Sequence, residues 1–242
     1  MFPPISPWIN NAFTLARAKY RAEHTAWTKL SVILSGRFNL PIAAINIQRQ
    51  GDLDLLLRCI EDEFDANRAA ESADATGLNM TFHYQLMLSE TWIIGCYEIL
   101  RAFRQRDEDA LKIGARPSGV SDMQEFKSIF SDLELLRMPM TKFEIAKDKS
   151  LKELLAVRYF EEPSADPQFY DNKDPARYHV MPNGMSARGS AVWLALDHKA
   201  RREHWIERRN LGERLLAFGL QVIPAGILEA QERAADRGGA AP

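Results

Sequence analysis

The sequence predicts a mostly α-helical protein, a multi-helix bundle with a small C-terminal β-hairpin, on three observations. Apolar residues recur at three- and four-residue steps through most of residues 1–158, the period of helices that bury one face. That period fails after Tyr159, where "EEPSADPQFYDNKDPARYH" carries three prolines and reads as a long irregular connection. Beyond it, Asn183-Gly184 and the run Val192-Trp193-Leu194 supply a turn and a strand. The chain therefore divides into a helical bundle over 1–158 and, over 159–242, a connection, a hairpin and a last helix packed on that bundle.

Each helix has its own signal. Prolines 3, 4 and 7 make an extended arm, after which Asn10 or Asn11 can cap a helix carrying Phe13, Ala16, Tyr20, His24 and Trp27. Gly36 and Pro41 punctuate its end. Asp52 can cap a second helix, whose stripe is Leu53, Leu56, Leu57, Ile60 and Phe64. Eight acids and two arginines between Asp52 and Asp74 read as its solvated face, or as a face for magnesium or a basic partner.

The third helix is the best marked. Phe82, Leu86, Ser89, Ile93, Cys96, Leu100 and Phe103 step alternately by four and three, the seam of a helix at the centre of a bundle. Ser121 with Gln124 forms a capping box for a fourth helix, with Phe126, Ile129, Phe130, Leu133 and Leu136 facing inward. Pro139 should break that helix at Met138 and open a fifth, packing Met140, Phe143, Leu151, Leu154 and Leu155. A last helix is predicted from about Asp197 to Phe218, where six basic residues alternate with three acids between Lys199 and Arg214. A disordered tail, "DRGGAAP", is expected to follow.

Composition limits the function classes. Apolar residues make up 46% of 242 and charged residues 26%, enough for a core that needs no metal or disulfide. A formal charge of −2 exerts no overall pull on nucleic acid or anionic lipid. Cys59 and Cys96 sit among apolar residues and read as buried thiols in a reducing compartment. No apolar run approaches the ~18 residues of a membrane span. The start "MFPPISPWINN" lacks the basic and apolar regions of a signal peptide. A cytoplasmic location with no membrane partner is expected.

Three residues are candidates for a functional site. Glu90 lies in the central helix with Leu86, Met87, Ile93 and Ile94 at its helical neighbours, so its carboxylate must find a partner or take up a proton. Arg137, beside the predicted helix junction, is the candidate partner. His83, at the head of the same helix, could act as a base if those two come close. The five histidines show no metal-ligand spacing, and no phosphate-loop, dinucleotide or GxSxG motif is present, so neither a metal nor a cofactor is expected. The basic residues of the last helix, with Tyr178, Trp193 and Trp205 nearby, leave an RNA face conceivable.

A long central helix followed by a helix pair whose junction carries an arginine, "LRMPMTKFE", resembles the HEPN superfamily of helical bundles over residues 52–157. The resemblance implies a homodimer. It also implies a metal-independent ribonuclease site, in which a histidine shortly after the arginine works on the 2′-hydroxyl or leaving oxygen while the arginine steadies phosphate charge. Arg137 matches the arginine. Lys142, Phe143 and Glu144 occupy the positions where the histidine should fall, so the proton-moving group is absent. The leading expectation is thus a non-catalytic interaction or ligand-binding protein, a homodimer with a possible protein partner. The alternatives are a HEPN-like ribonuclease using Arg137, with His83 or His179 in place of the missing residue, and a small-molecule enzyme using Glu90.

Overall fold

A computed structural model of the chain describes residues 4–74, 80–157 and 168–222, with the backbone alone over 65–74. The expected tail lies outside the described residues. Six helices, a 3-10 turn and five short strands make up the described part. None of its helices is long and apolar enough to cross a membrane.

Helices α1 (Ser6–Lys19) and α2 (Arg21–Arg37) are separated at Tyr20, whose φ of −109° and ψ of 49° leave the helical region. α1 starts at Ser6 with Pro7 in its first turn, where a missing N–H costs nothing, so Asn10 and Asn11 lie inside the helix instead of capping it. The next helix, α3 (Ile42–Asp74), likewise begins well before Asp52. Gly51 is helical there because α2 packs close: a Cβ at Gly51 would fall 2.7 Å from Cγ of Trp27.

Helix α4 (Thr81–Lys112) is the expected centre. Ser89, Ile93, Cys96, Leu100 and Phe103 are buried, and the helix packs against α3, α5 and a C-terminal strand. The head of the seam is looser, with Phe82 exposed and Leu86 partly covered. Phe103 stacks on Phe38 at 4.3 Å between ring centroids. The predicted capping box does not form. Ser121 Oγ instead donates to Asp107 of α4 at 2.6 Å, and Ser118 Oγ donates to the same carboxylate at 2.7 Å, clipping the connection back onto α4.

Helix α5 (Gln124–Lys142) buries Phe126, Ile129, Phe130, Leu133 and Leu136 as expected, but it runs straight through Pro139. Pro139 stands close to the helix end, so one lost amide is tolerated, and its ring is buried in the core. The helix stops at Phe143, which adopts the left-handed conformation (φ 56°) and returns its N–H to the Pro139 carbonyl at 3.0 Å. The predicted fifth helix is absent. Its place is taken by a 3-10 turn (Asp148–Ser150) and strand β1 (Leu155–Val157), which pairs with β2 (Gln168–Tyr170) inside the supposed irregular connection.

The C-terminal part departs most from expectation. Asn183-Gly184 is not a turn; it belongs to strand β3 (Asn183–Met185). The turn falls at 186–190, where Gly189 takes φ +70° and the Ser186 amide bonds the Ser190 carbonyl at 2.8 Å. Strand β4 (Ala191–Asp197) then pairs with β5 (Arg202–Glu207), in the stretch predicted as helix. Asp197 makes the reversal by accepting the amides of Lys199 and Ala200, both at 3.0 Å, and Arg201 adopts a left-handed φ of 50°. Helix α6 (Arg208–Val222) begins only where β5 ends. Trp193, Ala195, Ile206, Leu211, Leu215 and Phe218 join one hydrophobic core with Trp92, Phe103 and Leu133. A smaller cluster of Ile145, Val157 and Tyr170, flanked by Leu151, Leu155 and Leu196, sits under the two-stranded sheet.

Candidate functional site

The three predicted residues do not form one site. Arg137 bonds Glu98 at 3.3 Å and lies over the Tyr97 ring at 5.2 Å, with Met138 Sδ 3.2 Å from Nη1. Glu98 lies about 12 Å further along α4 than Glu90, at the helical rise of 1.5 Å per residue. Glu98 also accepts Arg101 Nε at 2.7 Å, as its spacing suggests. Glu90 is half-buried. Burial pushes its carboxyl above the usual range, and the His83 imidazole offsets this only in part. His83 itself is exposed, edge-on to Tyr84 at 5.9 Å. The fold thus gives Arg137 a different acid from Glu90, and leaves His83 at the exposed head of α4.

A second set of charges is far more buried. The acidic side of α3 is only partly a solvated face, because Asp54 and Glu61 point into the core. Their basic partner is this chain's own α6. Arg208, fully buried, bonds Glu61 through Nε at 2.8 Å and Nη2 at 2.7 Å, and donates through Nη1 to Asp54. Asp54 also accepts Arg58 Nε and Trp27 Nε1, both at 2.9 Å, while Ser190 Oγ bonds Glu61 at 2.7 Å. The Arg208 guanidinium lies 5.5 Å from the centroid of the Trp92 ring. Burial pushes both carboxyls up. Arg208 and Arg58 more than reverse this at Asp54, which ends below its ordinary range, whereas Glu61 ends above it. A Cβ on Gly212 would come within 2.8 Å of Asp54 Oδ1, and one on Gly189 within 2.5 Å of the Glu61 carbonyl. The cluster is full, with no room for a ligand, and its work is to fasten α6 and the β3–β4 turn to α3.

Room exists elsewhere. A cleft of about 840 Å³ opens between residues 150–156 and the β4–β5 hairpin from Leu196 to Glu203. Leu151, Leu155 and Leu196 give it an apolar side continuous with the smaller core. Lys152, Lys199, Arg201 and Arg202 line it and are exposed. Lys152, Lys199 and Arg201 hold no ion pair among the described residues. The leucines offer a ligand apolar area to bury, and the charged side chains around them offer groups to pair with.

At the edge of the cleft, Ser150 Oγ lies 3.0 Å from His198 Nε2. Ser150 Oγ also donates to the Lys147 carbonyl at 2.7 Å, and in that arrangement the imidazole donates to the serine oxygen. Burial lowers the His198 pKa from its ordinary value, although a hydrogen bond with the Ala146 backbone opposes the change.

No protein-family model, curated protein or solved structure matches this chain.

Neither the buried cluster nor the cleft was among the sequence candidates. Asp54 and Glu61 are seven apart and so share a helix face, which was a usable signal, but Arg208 stands beside Arg209 with nothing in the sequence to tell them apart. The cleft depends on segments forty residues apart in the chain and has no local signature.

Proposed function

We propose that the protein is a non-catalytic binding protein that holds a ligand or partner segment in the cleft between residues 150–156 and the β4–β5 hairpin. The observation that carries this reading is the cleft itself, apolar along one side and rimmed by exposed basic side chains with few internal partners. The arrangement of charged groups elsewhere supports it. Arg208, Asp54 and Glu61 are locked together without space for a substrate, and Arg137 is held by Glu98 and Tyr97. The resemblance to HEPN domains fits this reading in its degenerate form, since Phe143 stands where a proton-moving side chain would be needed.

The test combines two assays on the full chain. Purified protein is incubated with single-stranded RNA in the presence of a chelator, and separately screened by ligand-observed NMR against metabolites and short peptides. Intact RNA, together with binders that are lost in the double variant Leu154→Glu/Arg201→Glu, is the expected result. RNA cleavage that disappears in Arg137→Ala would replace the reading with the ribonuclease, and binders insensitive to the cleft variant would move the site elsewhere.

A further inference from the structure

We infer that the cleft takes an extended peptide segment bearing acidic side chains, which adds as a strand alongside β1. This rests on the cleft being the binding site and names its occupant.

The first argument is the backbone. Among the described residues β1 is paired with β2 alone, and β5 stands at the end of the order β3-β4-β5, so each has an outer edge with no described strand beside it. β1 residues Leu155 and Ala156 line the cleft, as do β5 residues Arg202 and Glu203, while no described residue of β2 does. The cleft therefore lies against β1 and β5 and not against β2. β1 is three residues long, Leu155–Val157, so its edge offers roughly 10 Å to a short added strand. Strand addition to such an edge draws its affinity from main-chain hydrogen bonds and its selectivity from alternate side chains.

The second argument is charge. Four basic side chains, Lys152, Lys199, Arg201 and Arg202, face three acids. Asp197 keeps its negative charge while it accepts the amides of the hairpin turn, so with Glu153 and Glu203 the acids number three and the cations exceed them by one. Charged residues at a sheet edge also discourage indiscriminate pairing. Here their excess is basic, so a basic strand is rejected and an acidic one is steered in. A peptide of alternating apolar and acidic residues would set one face on Leu151, Leu155 and Leu196 and turn the other toward Lys152 and Arg201.

The experiment is fluorescence polarisation of the full chain with four labelled synthetic peptides: alternating Leu and Glu, alternating Leu and Lys, and two versions of the Leu/Glu peptide, each N-methylated on the amides of one edge. The Leu/Glu peptide should bind at least about tenfold more tightly than the Leu/Lys peptide, and N-methylation on the bonding edge should abolish binding. Lys152→Glu/Arg201→Glu, two exposed substitutions expected to leave the thermal midpoint unchanged, should invert the preference. Equal affinity for the acidic and basic peptides, or full binding of both N-methylated versions, overturns strand addition. If no peptide binds but citrate shifts the amide resonances of residues 150–156 and 196–203, the peptide inference fails and the cleft survives as a ligand site. If neither peptide nor citrate perturbs those residues, the cleft assignment fails as well.

Discussion

Arg208 of α6 engages Glu61 of α3 through two parallel hydrogen bonds, 2.8 and 2.7 Å long, with both side chains inaccessible to solvent. The fork geometry is the strongest form of an arginine–carboxylate contact, and a third donor of the same guanidinium reaches Asp54. Removing the arginine leaves two buried carboxylates, one still held by Arg58 and the other by Ser190 and the more distant Arg209. Arg208→Ala is predicted to cost about 3–5 kcal/mol, measured by urea unfolding. Arg208→Lys should recover only part of this, because an ammonium cannot reproduce the fork. A double-mutant cycle of Arg208→Ala with Glu61→Ala should be strongly non-additive.

Two glycines make opposite predictions. Gly189 has φ +70° and no space: an added Cβ would lie 2.5 Å from the Glu61 carbonyl and 2.7 Å from Phe64 Cβ. Gly189→Ala is predicted to destabilise by more than about 2 kcal/mol through strain and displacement of the turn from α3. Gly36, in the last turn of α2, has nothing within 4 Å of such a Cβ. Gly36→Ala should stabilise by up to about 1 kcal/mol by lowering the entropy of the unfolded chain. Thermal midpoints of the two variants check the pair.

His179 gives the acid limb of stability a specific origin. Burial pushes its pKa from 6.5 down to about 4, with the ring edge-on to Tyr170 at 6.5 Å. The unfolded chain therefore binds a proton that the native chain refuses between those values. His179's contribution is fully present above about pH 6.5 and is lost as pH falls toward 4, a loss of roughly 3 kcal/mol. In His179→Gln the difference between urea midpoints at pH 7 and pH 4.5 should shrink, leaving the smaller part that His198 contributes. An unchanged difference would place the titration elsewhere.

The parts of this fold that were legible in the sequence are those where local period decides burial. Ile93, Cys96, Leu100 and Phe103 on α4, and Phe126, Ile129, Leu133 and Leu136 on α5, are buried where their spacing puts them. Pro139 was read by its local preference, which the packing of its ring in the core overrode. Residues 197–207 misled for a different reason. Alternating charges suit a solvated helix and an edge strand equally, and what decides is the pairing of Trp193 with Ile206 and Ala195 with His204 across the hairpin. Of the site, the sequence carried the acids of α3 but not their partner, and it carried nothing of the cleft. Lys152 and Arg201 become neighbours of one cavity only once the hairpin folds back over the 150s.

The most direct measurement of the central claim is amide hydrogen exchange of the full chain with and without the alternating Leu/Glu peptide. Slowed exchange at residues 155–157 is the predicted result, since β1 is the backbone edge a new strand would cover. Binding accompanied by protection at other elements, with β1 unchanged, would contradict it.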